Sequence, residues 1–462
     1  MKQQTEEWIT SAKQTLNWFI DVLGQSEWQR RRKVVVDYFK SLEPITLSEV
    51  DIQKGDIDKR FQPIAVYDDW MAWYMYLIES ILDRPGVDDP LQSARIYPFF
   101  SAIGRYIEPL KNMEGIDERL KVILNEKQNK PDSTLFELVV AILYHRNGWR
   151  VKFLKEDLYK KTPDFEVSRS GQSFWVECKR LAKVPEYAEK ERREWQKRFH
   201  HLTNSMRIYN VSAHAEIIFK VPLEDTLEEC LGGAFYAYLK SGMLNSDTWL
   251  RHEQFEFKAK EIDLSAINKQ LDKSGVRANS PQMVQLITGE YDMHGNYTQL
   301  ISPSEIVAVG PDDGLHVLNR FYHGIHAAYS AKWECVGESS IDKKAKDVKK
   351  TLSKAVSQIP HHGEGIIHIG YETVMGPAVE FRRHEKTSDT VANFNFSKKS
   401  IEAVYCHAIQ PLCKIGEWEC AETTIFFEKH PHKLFSERLL LDPPETIVRN
   451  STHWREDISG KH

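Results

Sequence analysis

The sequence predicts an α/β fold, and three neighbouring segments support that prediction. Residues 135–144 form an apolar run behind helix-capping residues, which is typical of a buried helix. Residues 149–180 contain short runs with strand-like alternation, separated by turn residues. A charged helix is expected from about 186 to 206 and a buried strand over 215–221. Helices therefore precede and follow a group of strands.

The first predicted helix has clear limits. Asp132, Ser133 and Thr134 offer an N-cap for the apolar run, and Asn147-Gly148 is a reasonable stop signal. The strand pattern of residues 149–154 begins directly after that stop. We therefore expect a helix that leads immediately into a sheet.

The next two strands are expected to form a hairpin. Apolar runs at 162–167 and 175–180 flank the segment 168–172, whose composition is typical of a tight turn. If Ser170-Gly171 forms the centre of a two-residue turn, the pairing register of the two strands is fixed.

This register brings charged side chains together. Asp164 and Glu177 lie at equal distances from the turn centre and would face each other, with Cβ atoms roughly 5 Å apart. Lys179 lies two residues beyond Glu177 and therefore points to the same face. The sequence predicts two carboxylates and one ammonium on a single patch of sheet.

Such a patch suits metal-assisted chemistry. Two close carboxylates repel each other unless a cation lies between them. Mg²⁺ prefers oxygen ligands and is typically held by one or two carboxylates plus a substrate phosphate. A neighbouring lysine can position a water molecule or stabilise charge on phosphoryl oxygens. A hard divalent ion such as Mg²⁺, with Mn²⁺ as a substitute, is thus the cofactor that this patch suits.

The motif Pro163-Asp164 followed by Glu177-Cys178-Lys179 resembles the PD-(D/E)xK phosphodiesterase superfamily, which has the restriction-endonuclease-like fold. In that superfamily a helix that often carries a glutamate precedes a three-stranded meander, and a helix and a further strand follow. The resemblance covers about 131–245. It implies a mixed central sheet flanked by helices, Asp164 and Glu177 as the metal ligands, and a catalytic role for Lys179.

The resemblance also suggests accessory residues. Glu137, on the first helix, would be the accessory acid, although an acid in a first helical turn also complements the helix dipole. Glu166 is a secondary candidate acid on the face of Asp164. Gln196, on the charged helix, is a candidate that could reach the site.

The chain divides into three parts on sequence grounds. Residues 1–125 are expected to be helical, and residues 126–245 form the nuclease-like core. Residues 246–462 form a mixed α/β region, which is either a separate domain or an extension of the core sheet. The 462-residue length is sufficient for several buried cores.

The composition of the sequence limits the cellular compartment and the partners that are expected. The sequence contains no long apolar run and no signal-peptide pattern at its polar N-terminus, so a cytoplasmic protein without a membrane partner is expected. Six scattered cysteines do not form a disulfide framework. No phosphate-binding loop of the G-x4-G-K-[ST] type occurs, so any motor would be a separate protein.

The net charge of −5 excludes a uniformly nucleic-acid-coating surface but allows a local basic cleft. Basic residues are concentrated over 179–207 and over 341–354. The first cluster adjoins the motif and is the expected substrate contact, whereas the second has the composition of a solvated helix face. The contacts expected in the first cluster are Arg180, Lys183, Arg193 and Lys197.

These observations predict a metal-dependent nuclease, with DNA favoured over RNA as substrate. The resemblance implies restriction or defence against foreign DNA, such as that of phages. Two alternatives remain: a repair or structured-RNA nuclease of the same fold, and a catalytically silent nucleic-acid-binding or assembly protein. A homo-oligomer and a separate regulatory partner both remain open.

Overall fold

The computed structural model describes residues 2–41, 69–83, 90–125, 131–155, 161–181, 185–309, 319–414, 417–429, 434–441 and 451–459. The helices in these ranges are α1 (Lys2–Leu23), α2 (Gln25–Ser41), α3 (Trp70–Asp83), α4 (Pro90–Arg105), α5 (Ile107–Lys111), α6 (Ile116–Ile123), α7 (Pro131–Arg146), α8 (Glu186–Ile208), α9 (Cys230–Lys240), α10 (Leu264–Leu271), α11 (Pro281–Thr288), α12 (Glu338–Lys344), α13 (Lys349–Gln358), α14 (Pro377–Ala392) and α15 (His453–Ser459). The strands are β1 (Arg150–Phe153), β2 (Phe165–Arg169), β3 (Gln172–Arg180), β4 (Ala213–Phe219), β5 (Leu250–Arg251), β6 (Phe255–Glu261), β7 (Val276–Arg277), β8 (Asn296–Ala308), β9 (Arg320–Cys335), β10 (Glu364–Glu372), β11 (Ser400–Lys414) and β12 (Glu417–Glu428). The protein is therefore a mixed α/β protein, as the sequence predicts.

The first sheet contains six strands in the order β1-β2-β3-β10-β11-β12. The strands β1, β2 and β3 form an antiparallel meander. The strand β10 lies between β3 and β11 and is parallel to both, and β12 returns antiparallel to β11. The strands β10, β11 and β12 of the C-terminal region therefore extend the sheet that begins with the meander, whereas β5 to β9 of that region belong to a second sheet.

The hairpin between β2 and β3 has the register that the sequence predicts. Phe165 pairs with Val176, and the pairing continues to the turn at Ser170-Gly171. Ser170 and Gly171 have φ angles of 51° and 81°, which gives the left-handed backbone that a tight two-residue hairpin requires. This register places Asp164 opposite Glu177.

The helix α7 packs against the first sheet along most of its length. Every residue from Thr134 to Tyr144 is buried, which is typical of a helix enclosed by the core. The helix ends at Arg146, and Gly148 then takes a positive φ of 77°, as expected for a helix stop. On β10, a Cβ at Gly370 would lie 2.5 Å from the Phe136 ring, so only glycine allows α7 to approach this closely.

Two helical layers cover the two faces of the first sheet. The N-terminal helices and α7 share one core with Val176 and Cys178 of β3. The helix α13 packs on the opposite face, in a core that contains Ile367 and Ile369 of β10 and is lined by Trp175. Because side chains alternate along a strand, Glu177 and Lys179 project to the face of α13.

The second sheet has the order β5-β6-β4-β9-β7, with β8 paired to β9. The strand expected at 215–221 is present as β4, but it pairs with β6 and β9 and does not join the hairpin's sheet. Alternation predicts a strand and its buried face, whereas the choice of neighbouring strand depends on long-range packing. The domain boundary expected at residue 245 falls between α9 and β5. It therefore lies inside the part of the chain that forms the second sheet and that separates β3 from α13.

The helix α8, expected as the helix that follows the meander, packs on the second sheet. Its Trp195 stacks on Trp333 of β9 with ring centroids 4.8 Å apart, and Phe199 and Leu202 belong to the same core. Across the described ranges, no helix combines the length and apolar character that a membrane span requires. None of the six cysteines forms a disulfide.

Candidate active site

Asp164 is fixed by backbone contacts at the start of β2. Its amide donates to the carbonyl of Val176 (3.1 Å), and its Oδ2 accepts a hydrogen bond from the amide of Cys178 (2.7 Å). Its carboxylate is therefore anchored to the β3 strand beside Glu177 and is largely buried.

Glu177 is a fully buried acid, and only one of its two carboxylate oxygens accepts a hydrogen bond. Its Oε1 accepts a hydrogen bond from Lys179, and its Oε2 has no hydrogen-bond partner. Burial raises the pKa of Glu177 well above its ordinary value, and the charge of Asp164 raises it further against the opposing effect of Lys179. A buried carboxylate oxygen without a donor is unfavourable, so this atom has the property expected of a cation ligand.

Lys179 lies at the accessible side of the cluster. Its side chain is 25% exposed, whereas that of Glu177 is 0% exposed. Burial alone would lower the pKa of Lys179, but the charges of Glu177 and Asp164 outweigh that effect and raise it. Lys179 is therefore a charged donor that faces both the acids and the solvent.

Glu137 of α7 joins the cluster through Arg119 of α6. The Arg119 guanidinium donates from Nε to Glu137 Oε2 (2.5 Å) and from Nη2 to Asp164 Oδ1 (2.8 Å). Burial raises the pKa of Glu137, Asp164 raises it further, and Arg119 and Lys179 oppose that rise. All four residues selected from the sequence thus interact in one place.

Arg119 is the residue that sequence reasoning missed. It lies in a short helix, 18 residues from Glu137 and 45 from Asp164 along the chain, and belongs to no motif. Only the packing of α6 against α7 places its side chain, which is 6% exposed, between the two acids.

The secondary candidates lie elsewhere on the two sheets. Glu166 is half-buried on β2, where it pairs with Trp175 of β3 and Lys152 of β1. Gln196 lies on α8, the helix that packs on the second sheet. Neither position adds a further acid to the cluster around Asp164.

The four expected nucleic-acid contacts have different surroundings. The Arg180 side chain is 5% exposed, pairs with Glu372 (2.7 Å) and so offers little surface to a phosphate. Lys197 is exposed but pairs with Glu194 and Glu228 (3.0 Å each), and Arg193 is exposed. Lys183 lies outside the described residues.

A metal ion would have a small set of ligands at this site. Within the described ranges, no group of three or more His, Cys, Asp and Glu residues is arranged to hold an ion. A pair of carboxylates is a smaller set, and it is the usual protein contribution to a Mg²⁺ site. Asp164 and the unpartnered Oε2 of Glu177 fit that role, whereas Arg119 already provides the positive charge beside Glu137.

Comparisons of the chain with protein-family models, with curated proteins and with solved structures found no match.

Proposed function

We propose that the protein is a metal-dependent nuclease that hydrolyses phosphodiester bonds, with DNA as the favoured substrate. The observation that carries this proposal is the convergence of Asp164, Glu177 and Lys179 on a hairpin whose register the sequence predicts, beside a buried acid, Glu137, from the preceding helix.

The order of elements around the hairpin supports the proposal. The helix α7 precedes the meander β1–β3, and α13 then leads into β10, which pairs parallel to β3. This order is similar to the helix, three strands, helix and strand that the resemblance to the restriction-endonuclease-like fold implies, if the segment from α8 to β9 and the short helix α12 are taken as an insertion before the second helix. The helix expected at 186–206 and the strand expected at 215–221 are present as α8 and β4, and they belong to the second sheet and the helices that cover it.

Each residue of the cluster would have its own role in the reaction. Asp164 and Glu177 would hold a divalent ion, which when bound would supply neutralisation of phosphate charge and a more acidic water molecule. Lys179 would orient the attacking water and donate to the phosphoryl oxygens, since its ammonium is charged and partly exposed. Glu137 would maintain the position of Arg119, and through it the orientation of Asp164.

One observation favours a second candidate, a catalytically silent nucleic-acid-binding protein. Arg119 pairs with both Glu137 and Asp164, so the cluster holds a cation of its own without a metal. A silent protein would bind nucleic acid but would neither bind Mg²⁺ or Mn²⁺ nor cleave.

The proposal predicts cleavage that requires both the metal and the named residues. Plasmid, linear and single-stranded DNA and RNA are incubated with Mg²⁺, Mn²⁺ or EDTA. We expect metal-dependent cleavage by the wild type and a loss of about 100-fold or more in Asp164→Ala and Lys179→Ala, because each group acts on charge in the transition state.

Two matched controls accompany these variants. Glu166→Gln changes another acid on the same hairpin, and Lys332→Ala removes an ion-paired strand lysine that is 26% exposed, close to the exposure of Lys179. Both controls should retain cleavage. Full cleavage activity in Asp164→Ala and Lys179→Ala would refute the assignment of the active site. Metal-independent binding of nucleic acid without cleavage would favour the catalytically silent alternative. Preference for RNA or for branched DNA would select the structured-RNA or repair alternative.

A further inference from the structure

The helix α13 carries a group of basic side chains that have no acidic partners. Lys346 precedes the helix and Lys349, Lys350 and Lys354 lie on it, and all four are exposed. Within the described ranges, none of the four makes an ion pair. In a chain with a net charge of −5, this lysine face is a local concentration of uncompensated positive charge.

Three of the six lysine and arginine residues of α8 differ in this respect. Lys190 pairs with Glu224, Lys197 pairs with two glutamates, and the buried Arg198 pairs with Glu194 (2.9 Å). Their charges are neutralised by their own surroundings, whereas Arg192, Arg193 and Arg207 of the same helix are exposed and, within the described residues, make no ion pair. Ion pairs therefore neutralise three of the six basic residues on α8, where the sequence predicts substrate contact, and none of the four on the lysine face, which lies within residues 341–354, where the sequence predicts a solvated helix face.

The lysine face is held in a fixed position relative to the acids. The buried side of α13 packs on the sheet face to which Glu177 and Lys179 project. At the helix end, Gln358 Nε2 donates to the carbonyl of Thr162 (3.2 Å) and Ser357 Oγ accepts from Lys161 (3.0 Å). Thr162 is two residues from Asp164, so the helix and the candidate active site are joined through this segment.

The spacing of the lysines suits a nucleic-acid backbone. Lys350 and Lys354 are one helical turn apart, about 6 Å along the axis. Phosphates of one DNA strand are spaced about 3.4 Å apart along the duplex axis, so such a pair spans about two phosphates. Lysine acts as a point charge toward phosphate and does not require bidentate geometry.

We infer that the lysine face of α13, formed by Lys346, Lys349, Lys350 and Lys354, binds the phosphate backbone of the nucleic acid and leads it to Asp164, Glu177 and Lys179. This inference rests on the proposed nuclease function. Binding at this face is electrostatic, so it carries no sequence preference and weakens as the salt concentration rises.

The test measures binding in the absence of metal, where cleavage does not interfere. Fluorescence anisotropy gives the Kd of the full-length protein for labelled duplex DNA, single-stranded DNA and RNA in EDTA over a range of salt concentrations. The variant replaces Lys349, Lys350 and Lys354 by glutamine. We expect an affinity loss of about tenfold or more at low salt. We also expect the salt slope, which is the slope of log affinity against log salt concentration, to fall in magnitude by about 2 to 3, because each phosphate contact contributes about 0.9 to the slope on B-DNA.

The control replaces Lys190 and Lys197 of α8 by glutamine, which removes exposed charges that are already paired with glutamates. It should leave the salt slope nearly unchanged. A second variant with arginine at the three α13 positions should retain the wild-type slope, which separates loss of charge from loss of fold.

The outcomes distinguish the two proposals. Equal losses in the α13 and α8 variants, or an unchanged slope in the α13 variant, would overturn the assignment of this face even if the wild type cleaves DNA. If the wild type never cleaves, and only the α13 variant loses affinity for nucleic acid, the result would support binding at the lysine face and refute the nuclease function. A wild type that binds none of the probes at low salt would overturn the inference.

Discussion

Arg119 holds two buried carboxylates that would otherwise repel each other. Its guanidinium bonds to Glu137 and Asp164, and all three side chains are at most 10% exposed. Glu177, by contrast, has only Lys179 as a donor and retains an oxygen without a partner. The positive charge at the cluster is therefore unevenly distributed, and a divalent ion would be favoured on the side of Asp164 that faces Glu177.

Replacing Arg119 should make the stability of the protein depend on metal. In EDTA, Arg119→Met is expected to lose about 3–5 kcal/mol of unfolding free energy, because two buried carboxylates lose their partner. Saturating Mg²⁺ should then raise the Tm of the variant more than that of the wild type, since both acids are released for the ion. Thermal denaturation with and without Mg²⁺ measures this difference.

The control for this experiment is Arg146→Met on α7. Arg146 is also buried, with 8% side-chain exposure, and it bonds to Glu437 away from the cluster. It should lower the Tm without enlarging the effect of Mg²⁺. If Mg²⁺ raises the Tm of Arg119→Met no more than that of the wild type, Arg119 does not compete with a metal.

At the scale of elements, the distance between α7 and β10 sets the position of Glu137. Phe136 packs its ring directly over Gly370, and Glu137 follows it on the same helix. Tyr144, further along α7, bonds to the buried His368 of β10 (3.0 Å), so the helix is tied to the strand at both ends.

Gly370→Ala is expected to destabilise the protein by about 1–3 kcal/mol, because the added methyl group would overlap the Phe136 ring and displace α7. Adding Phe136→Leu should recover part of this loss, which chemical denaturation of the two single variants and the double variant would measure. Gly233→Ala in α9, where a Cβ meets no atom within 4 Å, should instead stabilise by roughly 0.5–1 kcal/mol. Strictly additive effects of Gly370→Ala and Phe136→Leu would contradict this account of the contact.

The elements that the sequence predicts well are those specified by neighbouring residues. The Ser170-Gly171 turn fixes the hairpin register locally, and capping residues and Gly148 delimit α7. The pairing of β3 with β10 joins Glu177 to Ile367, residues far apart in the chain, and no local pattern specifies it. For the same reason the sequence predicts the helix at 186–206 and the strand at 215–221, which are present as α8 and β4, but not their place on the second sheet, and Arg119 carried no signal.

Across the whole molecule, Glu372 at the end of β10 joins three regions of the chain. Its carboxylate accepts hydrogen bonds from Arg95 of α4 and Arg180 of β3 (2.7 Å each), and its carbonyl accepts one from Arg383 of α14 (3.2 Å). Arg383 in turn pairs with Glu380 on the same helix (2.6 Å). The N-terminal helices, the hairpin and the C-terminal region therefore share one buried ionic cluster.

This cluster gives the stability of the molecule a pH dependence that one substitution should remove. Burial raises the pKa of Glu380 from its ordinary value of 4.5 to about 7, against the opposing effect of Arg383. Because the folded state binds the proton more tightly than the unfolded state, this contribution is fully present below about pH 4.5 and is lost as the pH rises through 7. Urea denaturation from pH 4.5 to 8 should show Glu380→Gln gaining stability relative to the wild type as the pH rises, by up to about 3 kcal/mol. The control is Glu385→Gln, which changes an exposed acid on the same helix and should show no such trend. If Glu380→Gln instead gains stability relative to the wild type as the pH falls, the assigned sign of the pH dependence is wrong.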